Sequence, residues 1–171
     1  MKRICLILML LALLLTGCAE EEPATVATIS PANVEEISMV QMEFSHEKVK
    51  SVDSFLAAIG NHRESVLEAG CYDLSAASDY GMETDSPYYE WVDVGDGYQL
   101  TIKNVGTLTI RGKGKATTEL VHIERYANVL VFQNCTNLTL EGFTAGHTNG
   151  GKCAGGVIQL KNCTQAELTN L

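Results

Sequence analysis

Between Asp79 and Tyr98 the chain reads DYGMETDSPYYEWVDVGDGY, crowding Tyr80, Tyr88, Tyr89, Trp91 and Tyr98 among Asp79, Glu83, Asp85, Glu90, Asp93 and Asp96. Aromatic rings stack on the C–H faces of sugars while neighbouring carboxylates accept hydroxyl protons. Tyr88, Tyr89, Trp91, Asp93 and Asp96 are therefore the residues expected to contact a ligand. Several carboxylates this close could also hold calcium, but Asp93-Val94-Gly95-Asp96-Gly97 lacks the ligand spacing of an EF-hand loop. The same composition also suits a long loop whose aromatics fold down over apolar surface while its acids stay in water. Both readings are open at this level.

Other segments carry weaker chemistry. Thr144 to Gly156 (TAGHTNGGKCAGG) is glycine-rich and bears His147, Lys152 and Cys153. A phosphate-cradling loop needs a helix after it, whereas a strand pattern starts at Val157, so a plain connecting loop is expected. Arg111-Gly112-Lys113-Gly114-Lys115 is a short basic turn, solvated or meeting an acidic polysaccharide. No Asp follows Asp96, and the carboxylates beyond it are Glu119, Glu124, Glu141 and Glu167, expected to point outward and lie far apart. No catalytic residue, metal-ligand set or cofactor is assigned, with calcium the one ion left open. Cys71, Cys135, Cys153 and Cys163 include no CxxC and no Cys/His pair with zinc spacing.

These residues need elements to carry them. Lys2-Arg3 opens the chain, Ile4 to Leu15 are unbroken apolar residues, and Leu15-Thr16-Gly17-Cys18 follows. That run is too short for the roughly 20 residues a membrane-spanning helix needs, and it matches the core of a signal peptide. Leu15-Thr16-Gly17-Cys18 resembles the bacterial lipoprotein lipobox. The resemblance implies that residues 1–17 are removed, that Cys18 is lipidated, and that the protein sits outside the cytoplasm, anchored to the cell membrane or an outer membrane. Of the 12 basic residues, Lys2 and Arg3 would leave with that leader; the remaining 10 against 21 acidic residues give a net charge of −11. Such a surface repels phosphate backbones, and nucleic acid is not an expected partner. Residues 18–48, with Glu20-Glu21-Glu22-Pro23 and Pro31, read as a solvated tether, in which Ile37 to Phe44 has some strand character.

The body repeats. Leu100 to Gly112, Leu130 to Gly142 and Ile158 to Asn170 align without a gap, offset by 30 and then 28 residues. In each copy apolar and polar residues alternate on either side of one Asn (Asn104, Asn134, Asn162), which predicts two half-buried strands and a bend. Asn tolerates the left-handed backbone of a sharp bend, and copies stacked about 4.8 Å apart would let successive amides bond in a ladder. Cys135 and Cys163 share one repeat position, so they are either a disulfide or a column of free thiols. Upstream, Ser51 is placed to cap a helix burying Val52, Phe55, Leu56 and Ile59, with Gly60 as its stop.

This pattern resembles the right-handed parallel β-helix proteins of the pectin-lyase-like superfamily. The resemblance covers residues 49–171 and implies an all-β solenoid with a short N-terminal capping helix and a first rung from Ser65 to Ser75. Enzymes of that kind cluster outward Asp for glycoside hydrolysis, or hold calcium with acids and use a basic residue for elimination. Neither set matches here residue by residue. The expected activity is therefore glycan or surface binding by a membrane-anchored β-helix. The alternative is the N-terminal part of a polysaccharide lyase or glycosidase whose catalytic rungs lie beyond residue 171, and a third reading is a purely structural stalk.

The repeat stops partway through a copy at Leu171, with Leu160 and Leu168 on its inner face, so either the solenoid is incomplete at its C-terminus, which is the expectation, or another subunit covers the open end. An immunoblot of the membrane fraction with an antibody to residues 100–171 is expected to show a band well above 18.5 kDa. A band at or slightly below that mass would contradict the expectation.

Overall fold

The computed structural model describes residues 44–148 and 150–171. The leader, Cys18 and the tether up to residue 43 lie outside the described residues.

The fold is mostly β, and its sheets are predominantly parallel. Strands β1 (Ser45–Val49), β2 (Arg63–Leu67) and β3 (Gly70–Asp73) come first, with helix α1 (Val52–Ala57) between β1 and β2. Then follow β4 (Tyr89–Asp93), β5 (Tyr98–Lys103), β6 (Leu108–Gly112), β7 (Thr118–His122), β8 (Leu130–Gln133), β9 (Thr136–Glu141), β10 (Thr144–His147), β11 (Ile158–Lys161) and β12 (Thr164–Thr169). Three sheets result, ordered β1-β2-β6-β9-β12, β10-β7-β3 and β11-β8-β5-β4.

The register follows the sequence repeat. Ile102 pairs with Phe132 and Leu108 with Leu138, then Leu130 with Ile158 and Leu138 with Ala166, reproducing the offsets of 30 and 28. Alternation places Leu100, Ile102, Leu108, Ile110, Leu130, Phe132, Leu138 and Leu140 in one buried core. Burying each large aliphatic contributes roughly 1.5–3 kcal/mol. In the third copy Leu160 and Leu168 are each 41% exposed.

The bends are as the Asn pattern requires. Asn104, Asn134 and Asn162 have φ of 56°, 54° and 52°. Asn134 Nδ2 donates to Asn104 Oδ1 at 3.5 Å, and Asn162 Nδ2 to Asn134 Oδ1 at 3.4 Å. At the next corner Gly112 has no room for a side chain: a Cβ there would lie 2.3 Å from the Gly142 carbonyl oxygen.

Helix α1 forms where expected. Ser54 N donates to Ser51 Oγ at 3.2 Å and Ser51 N to Ser54 Oγ at 2.9 Å, a reciprocal box closed by Ser rather than Glu. Val52, Phe55, Leu56 and Ile59 are buried in the core.

Four expectations need correction. The helix ends at Ala58 before Gly60, and the left-handed reversal that follows is made by His62 at φ 54°. Gly60 is instead a packed position, with Arg63 and Tyr88 against it. The tether does not reach residue 48, because β1 already pairs with β2 from Ser45 to Val49. The first two copies are each followed by a third strand, β7 and β10, and these line up in parallel with β3 in a third sheet. Finally, the Asp79–Tyr98 segment is not all loop: Tyr89–Asp93 pairs antiparallel with Tyr98–Lys103, its aromatic and β-branched residues suiting a strand.

The bend position yields a test. Asn134→Ala is expected to lower stability in urea unfolding by about 1–2 kcal/mol, because a Cβ without the amide's local hydrogen bonding disfavours the left-handed region. Asn134→Gly, which keeps the backbone freedom and loses the ladder bonds, is expected to cost less than Asn134→Ala.

Candidate functional site

The β4–β5 hairpin carries the site. Val94 N bonds Gly97 O at 2.9 Å to close its turn, and Trp91 stands opposite Leu100. Trp91, Glu90 and Lys103 face an open cleft of about 400 Å³, whose other wall is Gly81, Met82, Glu83 and Thr84. That volume lies within the ordinary range for small-ligand sites. Lys103 Nζ lies 2.5 Å from Glu90 Oε2.

The indole is braced from behind. Asp79 accepts the Trp91 Nε1–H at 3.1 Å on one carboxylate oxygen and the Tyr89 hydroxyl at 2.7 Å on the other. Tyr80 meets Trp91 edge-on with ring centroids 5.1 Å apart, and meets Tyr98 in the same way at 5.6 Å. The Tyr80 hydroxyl accepts from Tyr98 N at 2.9 Å and donates to Glu124 Oε1. Glu124 Oε2 in turn sits against His122 Nδ1. His122 Nε2 has no hydrogen-bond partner among the described residues.

Burial governs the electrostatics of this network. It raises the pKa of Tyr80 and Tyr89, helped by hydrogen bonds to Glu124 and Asp79 respectively. It lowers the pKa of His122 below 6.5; the carboxylates of Glu124 and Asp73 oppose the shift and His147 adds to it. His147 stands beside His122 in the β7–β10 register.

The residues expected from the sequence divide. Trp91 lines the cleft. Tyr89 is held behind it by Asp79, and Tyr88 packs partly buried against the core. Asp93 and Asp96 do not reach the cleft. Asp93 Oδ1 accepts from Gly95 N at 2.8 Å within the turn, and Asp96 Oδ2 accepts from Arg125 N at 2.7 Å. Both are spent on backbone amides. Among the described residues no group of three or more His, Cys, Asp or Glu side chains is arranged to hold a metal ion.

Glu124 also needs correction: it is 9% exposed and turned inward, not outward. The period of two that buries Thr118 and Leu120 runs on to His122 and Glu124, so the signal was in the alternation. Glu83, Glu90, Thr84 and Lys103 are not legible in the sequence as cleft residues, because only the pairing of β4 with β5 brings Glu90 and Lys103 together beside Glu83 and Thr84. The basic turn is largely neutralised, with Arg111 between Glu64 at 3.3 Å and Glu141 at 3.1 Å, and Lys113 3.8 Å from Glu68. Cys71, Cys135, Cys153 and Cys163 are all free thiols, and burial raises the pKa of Cys135.

Comparison with protein families, curated proteins and solved structures finds no match to this chain.

The buried imidazole predicts acid sensitivity. The unfolded chain binds a proton at His122 near pH 6.5 while the folded chain resists until lower pH. This contribution to stability is therefore complete above 6.5 and is lost as pH falls through the folded pKa. Thermal unfolding from pH 7 to pH 5 is expected to show a loss steeper than that of His122→Gln, by at most about 1.4 kcal/mol per pH unit for one proton. Parallel profiles for the two proteins would contradict this assignment.

Proposed function

We propose that this chain is a right-handed parallel β-helix of the pectin-lyase-like kind, held outside the cytoplasm by a lipid on Cys18, and that it binds a polysaccharide in the Trp91 cleft without transforming it. Three predominantly parallel sheets with a repeat near 30 residues, a left-handed Asn at each bend and an apolar helix packed into the core support the architecture. The lipobox resemblance supports the anchor. No helix among the described residues is long and apolar enough to cross a membrane.

One observation carries the binding reading: a braced indole shares a single cleft with two carboxylates, an ammonium and a hydroxyl. A pyranose can lay its C–H face on Trp91 while Glu83, Glu90, Lys103 and Thr84 serve its hydroxyls as acceptors and donors. Because Asp79 and Tyr80 already hold the ring, little side-chain entropy remains to be lost on binding. Glu90 and Lys103 act as each other's counter-charge, which suits orienting a hydroxyl better than taking its proton.

The test is retention on a panel of insoluble polysaccharides. The protein is expected to bind at least one of them, and Trp91→Ala, with its fold checked by circular dichroism, is expected to lose about tenfold or more in affinity. Retention that survives Trp91→Ala undiminished would sink the cleft as the binding site.

A further inference from the structure

We infer that the Trp91 cleft selects a cationic amino-sugar glycan, with the free ammonium of the sugar set between the indole face and Glu83. This rests on the polysaccharide reading above and goes beyond it by naming the charge of the ligand.

The argument is the balance of compensated and uncompensated charge. Lys103 is the one cation lining the cleft; its side chain is 24% exposed and its Nζ is already 2.5 Å from Glu90 Oε2. Its charge is spent. Glu83 lines the opposite wall, is exposed, and has neither a hydrogen bond nor an ion pair among the described residues. Asp85, two residues on, is exposed and equally unpaired. An indole face attracts cations through its quadrupole, and the Asp79 carboxylate accepting the indole N–H at 3.1 Å adds to its negative potential.

Every group left unsatisfied on this surface therefore attracts a cation. A uronate would have to approach Glu83 and draw Lys103 away from Glu90, whereas a protonated 2-amino group gains from Glu83 and the ring together. A neutral sugar keeps the stacking and gains nothing from the charge.

Isothermal titration of the full-length protein with three hexasaccharides, at a pH where the amine is protonated, separates these cases. The probes are hexaglucosamine, its N-acetylated form and hexagalacturonate. Hexaglucosamine is expected to bind about tenfold more tightly than the N-acetylated form at low ionic strength, with the advantage shrinking as salt is added. Hexagalacturonate is expected to bind most weakly. Glu83→Gln is expected to remove most of the amine preference, and Glu167→Gln, an exposed acid on β12, to leave it intact.

Equal or tighter binding of the N-acetylated or uronate probe would overturn this inference while leaving the polysaccharide reading standing. So would an amine preference that survives both Glu83→Gln and Trp91→Ala, since it would report only diffuse attraction to an acidic surface. If none of the three hexasaccharides binds but the polysaccharide panel does, the charge selection is wrong. If neither does, both readings fall.

Discussion

In-register parallel pairing is the constraint on which the rest of this structure depends. Parallel strands cannot be joined by a tight hairpin, so in the repeated copies each strand finds its partner 30 or 28 residues away. Spacing must then be held to the residue, because a slip of one would turn every core side chain toward solvent. The offsets of 30 and 28 between copies meet that demand, and the left-handed Asn at the same bend of each copy keeps the two strands on either side in phase. Gly112 and Gly142 meet it at the next corner, where one backbone lies too close to the other for a Cβ.

The same constraint leaves open strand edges where the stack begins, and the chain covers them with different devices. Strand β1 lies along β2, helix α1 sends Phe55 and Leu56 into the core, and β4 pairs antiparallel along β5. The last of these is the one that shapes the candidate site. Covering the β5 edge brings Trp91 and Glu90 over Lys103 and creates the cleft. The candidate site is thus a by-product of edge protection, elaborated by a polar network beneath it. Burying His122 and Glu124 is costly in isolation, but the Tyr80 hydroxyl shares that cost, and Tyr80 in turn fixes the indole.

What was legible in the sequence follows from this division. The repeat, its Asn bends and the capped helix obey local rules of period and backbone preference, and they can be read without a structure. Strands β3, β7 and β10 could not be read the same way. They are short, and their pairings run from Gly70 to Thr118 and from Glu119 to Thr144, so they show no common period. Strand β4 is hidden for the opposite reason: it lies in an insertion that belongs to no copy, and an acidic, aromatic stretch has the composition of a loop. Asp93 and Asp96 looked available because composition cannot reveal that nearby backbone amides consume their oxygens. Glu124 was misplaced although alternation from Thr118 already assigned it inward.

The placement of the site on the hairpin has its own electrostatic reason. Stacked copies bring outward charges on neighbouring strands within reach of one another. Across strands β1, β2, β6 and β9, His46 lies against Glu64, and Arg111 reaches diagonally to Glu64 and along its own register to Glu141. Charge on this face is thereby partly compensated, whereas Glu119, Lys161 and Glu167 on β7, β11 and β12 have no ion pair among the described residues. The insertion differs, because it meets the body along β5 and through Tyr80 and Asp96, and its remaining residues have no counterpart in the next copy. Glu83 and Asp85 can therefore stay unpaired at no cost to the register. Two of the acids without a partner thus stand on the segment that lies outside the repeated copies, and that segment also contributes Trp91 to the cleft.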